Sequence, residues 1–375
     1  MNLLESNWTL VFLVATGLSV WLGLVWLHLR FWERRIALPL HYDEEERIDT
    51  PDGAAVELRR IAPTNGAASD QPPILMVHGI CANHRNQDIH PKYSLARHLA
   101  GLGRDVWLLT LRSGLSWGFW PIRRDLGFAN MARYDIPLGV SHVLKRTGAK
   151  SLDFVAFSMG GMLLYASLGT TIKEESLRKA VFIGSPGRVD APHPIVKILR
   201  FYPRWLVPPI LSGLGARMFA FLSEWFVTPL HKMIYNPRNF AKSIIRTALV
   251  NCIQDVPAAL AADFLGWATR DGEIRLDGKR VLDQLAHVRI PALFVAGTVD
   301  HLGTESAVRA GFDAWGKEEP DTPKRFMLLG RSCGTQEDYG HGDLCMGCHA
   351  DLELFEPVQK FLSELGPTDT LQESV

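Results

Sequence analysis

The sequence predicts an α/β fold: a mostly parallel sheet flanked by helices, interrupted by a helical cap and preceded by one N-terminal transmembrane helix. Three observations predict it. Strand-like and helix-like segments alternate along most of the chain, the pattern of parallel strands joined by crossover helices. The alternation breaks once, over about residues 188–290, in a stretch rich in Trp, Phe, Leu and Pro. An almost uninterrupted apolar run, TLVFLVATGLSVWLGLVWLHL from Thr9 to Leu29, precedes everything else.

The apolar run comes first. About 20 such residues span a bilayer core. Its one strongly polar side chain is His28, near an end, and Trp8, Trp26 and Trp32 sit where interfacial aromatics belong. A cleaved signal peptide wants a basic n-region, a shorter apolar core and a small-residue cleavage site. Here the leader is MNLLESN, with Glu5 and no lysine or arginine, and RFWERR follows Leu29 without an A-x-A pattern. An anchor over residues 1–35 is therefore preferred. Arg30, Arg34 and Arg35 follow the span, so the positive-inside rule puts the N-terminus outside and the α/β domain in the cytoplasm.

Residues 36 to about Asp49 read as a connector. AVELRRI near Ala55 and PILMVHG ending at Gly79 read as strands. YSLARHLAGLG reads as a helix stopped by glycine. DVWLLTLR from Asp105 is a strand, and IPLGVSHVLKRTG from Ile136 a helix ending at Gly148. LDFVAF runs into SMGGMLLYASL, and KAVFIGSPG from Lys179 is the next strand. After the cap, PALFVAGTVD and RFMLLG resume the strands, and LELFEPVQKFLSEL forms a last helix. The expected organisation is core at 36–187 and 291–366, cap at 188–290, and a flexible tail at 367–375.

Composition narrows the function. The 375 residues carry 40 basic and 40 acidic side chains, so nothing favours a nucleic-acid partner. An odd number of cysteines, five, does not read as a disulfide framework. No protein partner is identifiable.

LDFVAF-Ser158-MGGM places a serine between a buried strand and an apolar helix. There it sits on a sharp turn with its hydroxyl above the sheet, and its neighbours two residues away must be small. They are Ala156 and Gly160. Glycine is usual at the first of these, so alanine departs by one methyl. The alternative is a serine that merely caps the helix. The backbone amides of Met159 and Ile80 are the expected oxyanion donors, Ile80 from the His78-Gly79-Ile80 loop after strand ILMV. His78 is read as bonding that loop, with a second reading as a base.

Chain order for such a turn is serine, acid, histidine. Asp300, just past strand PALFVAG, is the candidate acid; Glu305 and Asp313 lie deeper in the next helix. Its alternative role is a helix cap. His341, in the glycine-flanked loop Tyr339-Gly340-His341-Gly342-Asp343-Leu344, is the candidate base, ahead of His349. Asp343 is read as capping the next turn.

On these motifs the chain resembles the α/β-hydrolase superfamily over about residues 50–365. DVWLLTLRSG and YDIPLGVSHVL are similar to the acid-lipase and polyhydroxyalkanoate-synthase-like branches, and YGHGDL to their histidine loop. The resemblance implies an α/β-hydrolase fold, a Ser158–Asp300–His341 triad and no cofactor. The synthases use a cysteine nucleophile, so Ser158 points to hydrolysis.

The expected activity is cleavage of a hydrophobic carboxylic ester or thioester through an acyl-enzyme, with the lipid bilayer and an acyl substrate as partners. The apolar cap insertion adds to this expectation, as core packing and as an apolar tunnel resting on the bilayer. Three alternatives stay open. One is an acyltransferase using the same triad. Another is a membrane-bound haem or metal-binding protein built on Cys345, Cys348 and His349, which match C-x-x-C-H. The third is an inactive hydrolase fold serving as a scaffold.

Overall fold

Eight strands form one sheet which runs, edge to edge, through Glu44–Asp49, Ala55–Ile61, Val106–Thr110, Ile74–Val77, Leu152–Phe157, Leu177–Ile183, Ala292–Gly297 and Lys324–Leu329. In this computed structural model the described residues are 3–64, 71–115, 124–191 and 194–364. The tail expected at 367–375 lies outside them. The strands are β1 (Glu44–Asp49), β2 (Ala55–Ile61), β3 (Ile74–Val77), β4 (Val106–Thr110), β5 (Leu152–Phe157) and β6 (Leu177–Ile183). A small hairpin, β7 (Arg275–Leu276) and β8 (Lys279–Arg280), comes next, then β9 (Ala292–Gly297) and β10 (Lys324–Leu329). Within the eight-stranded sheet every pairing from β4 across to β10 is parallel; β2 runs antiparallel to both β1 and β4.

The central strands are apolar on both faces because helices cover both sides. Along β5, Phe154 and Ala156 pack into one hydrophobic cluster and Val155 and Phe157 into the other. Side chains alternate across a strand, so a continuous apolar run feeds two cores at once.

β1 corrects the expectation of a connector up to Asp49. Its sequence, EEERID, has no apolar face, and its residues alternate between half-buried and exposed. Edge pairing with β2 makes it a strand, reinforced by ion pairs from Arg60 to Glu44 at 2.6 Å and from Arg59 to Glu45 at 2.9 Å.

Residues between β6 and β9 form short helices, among them Ser212–Phe219, Lys242–Asn251 and Ala258–Ala268. The stretch is not helical throughout. β7 and β8 turn at Asp277-Gly278, both with positive φ, as a tight two-residue hairpin requires.

The N-terminal helix runs from Leu3 to Ile36, and its Trp8–Ile36 portion is long and apolar enough to cross a membrane. Its last turns dock on the segment between β6 and β9. Trp32 stacks on Phe221 at 5.5 Å, His28 Nε2 lies 3.0 Å from the Met218 carbonyl, and Asn251 Nδ2 donates to the Ile36 carbonyl at 3.4 Å.

Candidate active site

The turn from β5 into helix Met159–Ser167 leaves Ser158 with φ 51° and ψ −118°. That conformation costs a non-glycine residue about 1–3 kcal/mol and persists only where its surroundings enforce it. Here the Ser158 amide donates to the Ile183 carbonyl at 2.9 Å, and the helix it opens is buried along its whole length. A Cβ on Gly160 would lie 2.7 Å from the Val77 carbonyl oxygen, so the helix could not approach β3 with any side chain there. Ala156 meets no such limit: it sits in register between Val77 and Phe182, and its methyl joins the core.

Ser158, His341 and Asp300 meet at the C-terminal ends of the parallel strands. His341 Nε2 lies 2.9 Å from Ser158 Oγ, and His341 Nδ1 lies 2.7 Å from Asp300 Oδ2. The other Asp300 oxygen accepts from the Leu302 and Gly303 amides at 2.8 and 2.7 Å. Burial pushes the Asp300 carboxyl up, but the charge and hydrogen bond of His341 and the two amides outweigh it, leaving its pKa below the ordinary value. Helix Glu305–Ala314 is capped by Thr304, whose hydroxyl accepts from the Ala307 amide. Asp300 is therefore free to orient the imidazole. Each of the three residues is about one-twentieth exposed: 6% for Ser158, 6% for His341 and 5% for Asp300.

The loop after β3 lies directly against the serine turn. A Cβ on Gly79 would stand 2.9 Å from the Phe157 ring and 3.0 Å from Ser158 Cβ. Among the described residues neither the Ile80 nor the Met159 amide has a hydrogen-bond acceptor, and both follow these tight contacts in sequence. Both are thus available to a substrate oxygen. The loop is anchored from several sides. His78 Nδ1–H donates to the Gly79 carbonyl at 2.8 Å while Nε2 accepts from the Leu111 amide at 3.0 Å. With both ring nitrogens engaged by backbone, His78 is a strut and not a base. Cys81 adopts φ 49°, and its carbonyl accepts from the Gln254 amide at 2.9 Å. Sequence reading missed that strained cysteine, because glycine is the usual signal for positive φ.

Two other residues escaped notice. Arg112 Nε donates to Asp135 Oδ1 at 2.8 Å, and its Nη1 donates to Asp52 Oδ2 at 2.6 Å. Burial opposes the Arg112 charge, but Asp52 and Asp135 together more than offset it and raise its pKa. Arg112 and Asp135 belong to DVWLLTLRSG and YDIPLGVSHVL, so the motifs that carried the resemblance touch each other beside the His78 strut. Only a visible contact partner could have flagged them.

Asp343 does not cap the turn it opens. It lies fully buried and accepts from the Asn236 amide, the Asn239 side chain and the Gly340 amide at 2.9, 3.0 and 3.0 Å. Burial pushes its carboxyl up to about 6. This cross-link ties residues 236–239 to the histidine loop, and the Gly342 amide donating to the Ile234 carbonyl at 2.7 Å strengthens it. His341, not His349, is the histidine that reaches Ser158.

The cysteine cluster has a different setting. Cys345 packs in the apolar core, where burial pushes its thiol up, and Cys348 is half-buried. No group of three metal-ligating side chains converges among the described residues. Two cavities, of about 310 and 460 Å³, share Ala129, Arg204 and Asp263, and neither is lined by Ser158, Asp300 or His341.

Chemically, this arrangement can deprotonate a hydroxyl, hold the resulting imidazolium and face two amides toward a developing oxyanion. Comparisons with known proteins agree with the fold. A family model described as alpha/beta hydrolase fold matches residues 72–329. Human gastric triacylglycerol lipase is 30% identical over 181 residues, 44% of each chain. Human lipase member K is 28% identical over 159 residues, 38% of this chain and 39% of its own. The chain thus aligns with less than half the length of these relatives. A thermophilic esterase from Thermogutta terrifontis superposes with TM-score 0.53 at 17% identity, covering 85% of this chain and 98% of that one. A membrane phospholipase A, described as a bacterial virulence factor, gives TM-score 0.50 at 16% identity over 96% and 97%. At these identities the structural likeness shows the fold alone.

Proposed function

The chain belongs to the α/β-hydrolase family, and from that premise we propose that it is a membrane-anchored serine hydrolase of hydrophobic carboxylic esters or thioesters. The observation that carries this reading is the continuous relay from Ser158 Oγ through His341 to Asp300, built on a strained serine turn. Ser158 attacks the acyl carbonyl while His341 Nε2 takes its proton. Asp300 holds the imidazole by Nδ1 and balances its charge. The Ile80 and Met159 amides bind the oxyanion. His341 then protonates the leaving group, the ester breaks and the acyl group stays on Ser158. Water, deprotonated by His341, releases the acid and restores the serine.

A hydrophobic substrate is supported by the apolar N-terminal helix and by the triacylglycerol lipases among the relatives. In this reading residues 1–35 anchor the protein, 188–290 cap the core, and the catalytic domain faces the cytoplasm. The near-complete burial of Ser158 favours one second reading, an acyltransferase in which an alcohol replaces water. Supplying an acceptor alcohol and tracing the acyl group separates the two.

A fluorophosphonate probe tests the nucleophile. Wild type is expected to label and Ser158→Ala to remain unlabelled. Labelling that persists in the variant excludes Ser158.

A further inference from the structure

One cap segment joins the membrane helix to the histidine loop. At its start, Met218 and Phe221 are clasped by His28 and Trp32, and Arg217 lies 3.7 Å from Glu33. At its end, the Ile234 carbonyl receives the Gly342 amide, one residue past His341. Between these fixed points the chain turns large apolar side chains to the outside. Phe219, Trp225 and Phe226 are 62%, 74% and 61% exposed. From Trp225 to Leu230 the sequence WFVTPL carries no charge, while Glu224 pairs with Arg246 at 3.1 Å on one side and Lys232 follows on the other. Contiguous exposed apolar groups with a charged rim mark a surface meant to be covered, and aromatic side chains beside basic ones suit a membrane interface.

We propose that residues 219–234 lie in the interfacial layer of the leaflet that the N-terminal helix enters, and guide acyl chains from it to Ser158; this rests on the hydrolase reading above. The bilayer is the occupant because the segment starts packed against the end of a helix whose apolar window is wholly unburied. A helix inserted in lipid necessarily brings Phe219, next to Met218, to the same interface. A substrate following the strip reaches the loop that holds His341 without crossing water, which suits a triad so little exposed.

The test uses the full chain in phosphatidylcholine vesicles. A nitroxide is placed at Phe226→Cys, or at Leu102→Cys as a core-surface control, 50% exposed in the structure. Both sit in a Cys333→Ser background whose own signal is subtracted. The Phe226 label is expected to be shielded from a water-soluble nickel chelate and open to oxygen, and the Leu102 label the reverse. Equal chelate access at both sites overturns the proposal. So does shielding that disappears on dilution into excess lipid, which would mean a second copy covers the strip. In parallel, Trp225→Glu with Phe226→Glu is expected to lower hydrolysis of a long-chain ester held in the vesicles at least tenfold. Hydrolysis of a short water-soluble ester should stay within twofold. Loss of both activities, or of neither, overturns substrate guidance. A wild type inactive on both esters counts against the hydrolase reading, and the spin-label comparison then decides the docking alone.

Discussion

Asp300 illustrates how one side chain serves two masters at this site. One oxygen is spent on the Leu302 and Gly303 amides, which stiffen the loop, and the other on His341. An amide at this position keeps the shape but favours the wrong imidazole tautomer. Asp300→Asn is therefore expected to lower kcat by about 10⁴-fold with little change in KM, as in comparable triads; a loss under tenfold in steady-state kinetics would refute the role. His78 makes a different argument at the same scale. Burial pushes its imidazole down to about 4, with the Gly79 carbonyl opposing weakly. An unfolded histidine titrates near 6.5. Between those values the unfolded chain binds a proton that the folded one refuses, so stability falls as the pH drops from about 6.5 and levels off below about 4. The full window corresponds to about 3 kcal/mol. Wild type should thus lose about that much stability relative to His78→Gln between pH 7 and pH 4, read from urea midpoints. Parallel pH profiles in the two proteins would remove the buried neutral histidine from the account.

At the scale of elements, the histidine loop is cross-linked to residues 236–239 because Asp343 accepts three hydrogen bonds from the two segments. Asp343→Ala leaves those donors buried without acceptors, at about 1–3 kcal/mol each. The variant is expected to unfold at clearly lower denaturant, with kcat falling more than KM rises; unchanged unfolding would show that water replaces the carboxylate. Which elements were legible follows from the same physics. Strands β3, β5 and β9 announce themselves because burial on both faces demands continuous apolar runs. β1 does not, since an edge strand paired through charges has no such run. The hairpin at residues 275–280 was missed: two residues per strand leave no periodicity to read. Two π-helical turns, Met131–Asp135 and Asp351–Phe355, stand just before Pro137 and Pro357. A proline crowds the carbonyl four residues back and supplies no N–H, so the preceding turn widens.

For the whole molecule, the orientation in the membrane has a direct measurement. Arg30, Arg34 and Arg35 follow the apolar helix. A reporter fused after Leu365 should be active only in the cytoplasm; activity confined to the periplasm or lumen would reverse the topology. Local order in the chain was sufficient to determine the fold class and the apolar helix, and to single out Ser158, Asp300 and His341 as candidates. Each depends on neighbours in sequence, such as a buried run, a glycine beside a serine, or an acid at a strand end. Other features depend on surfaces brought together from distant segments: Arg112 with Asp135, Cys81 with Gln254, Asp343 with Asn236 and Asn239, Trp32 with Phe221. No periodicity encodes those pairs, because a buried charge or strained residue is stable only through partners that packing supplies. Tertiary structure alone decided them, and with them how firmly His341 is held beside Ser158.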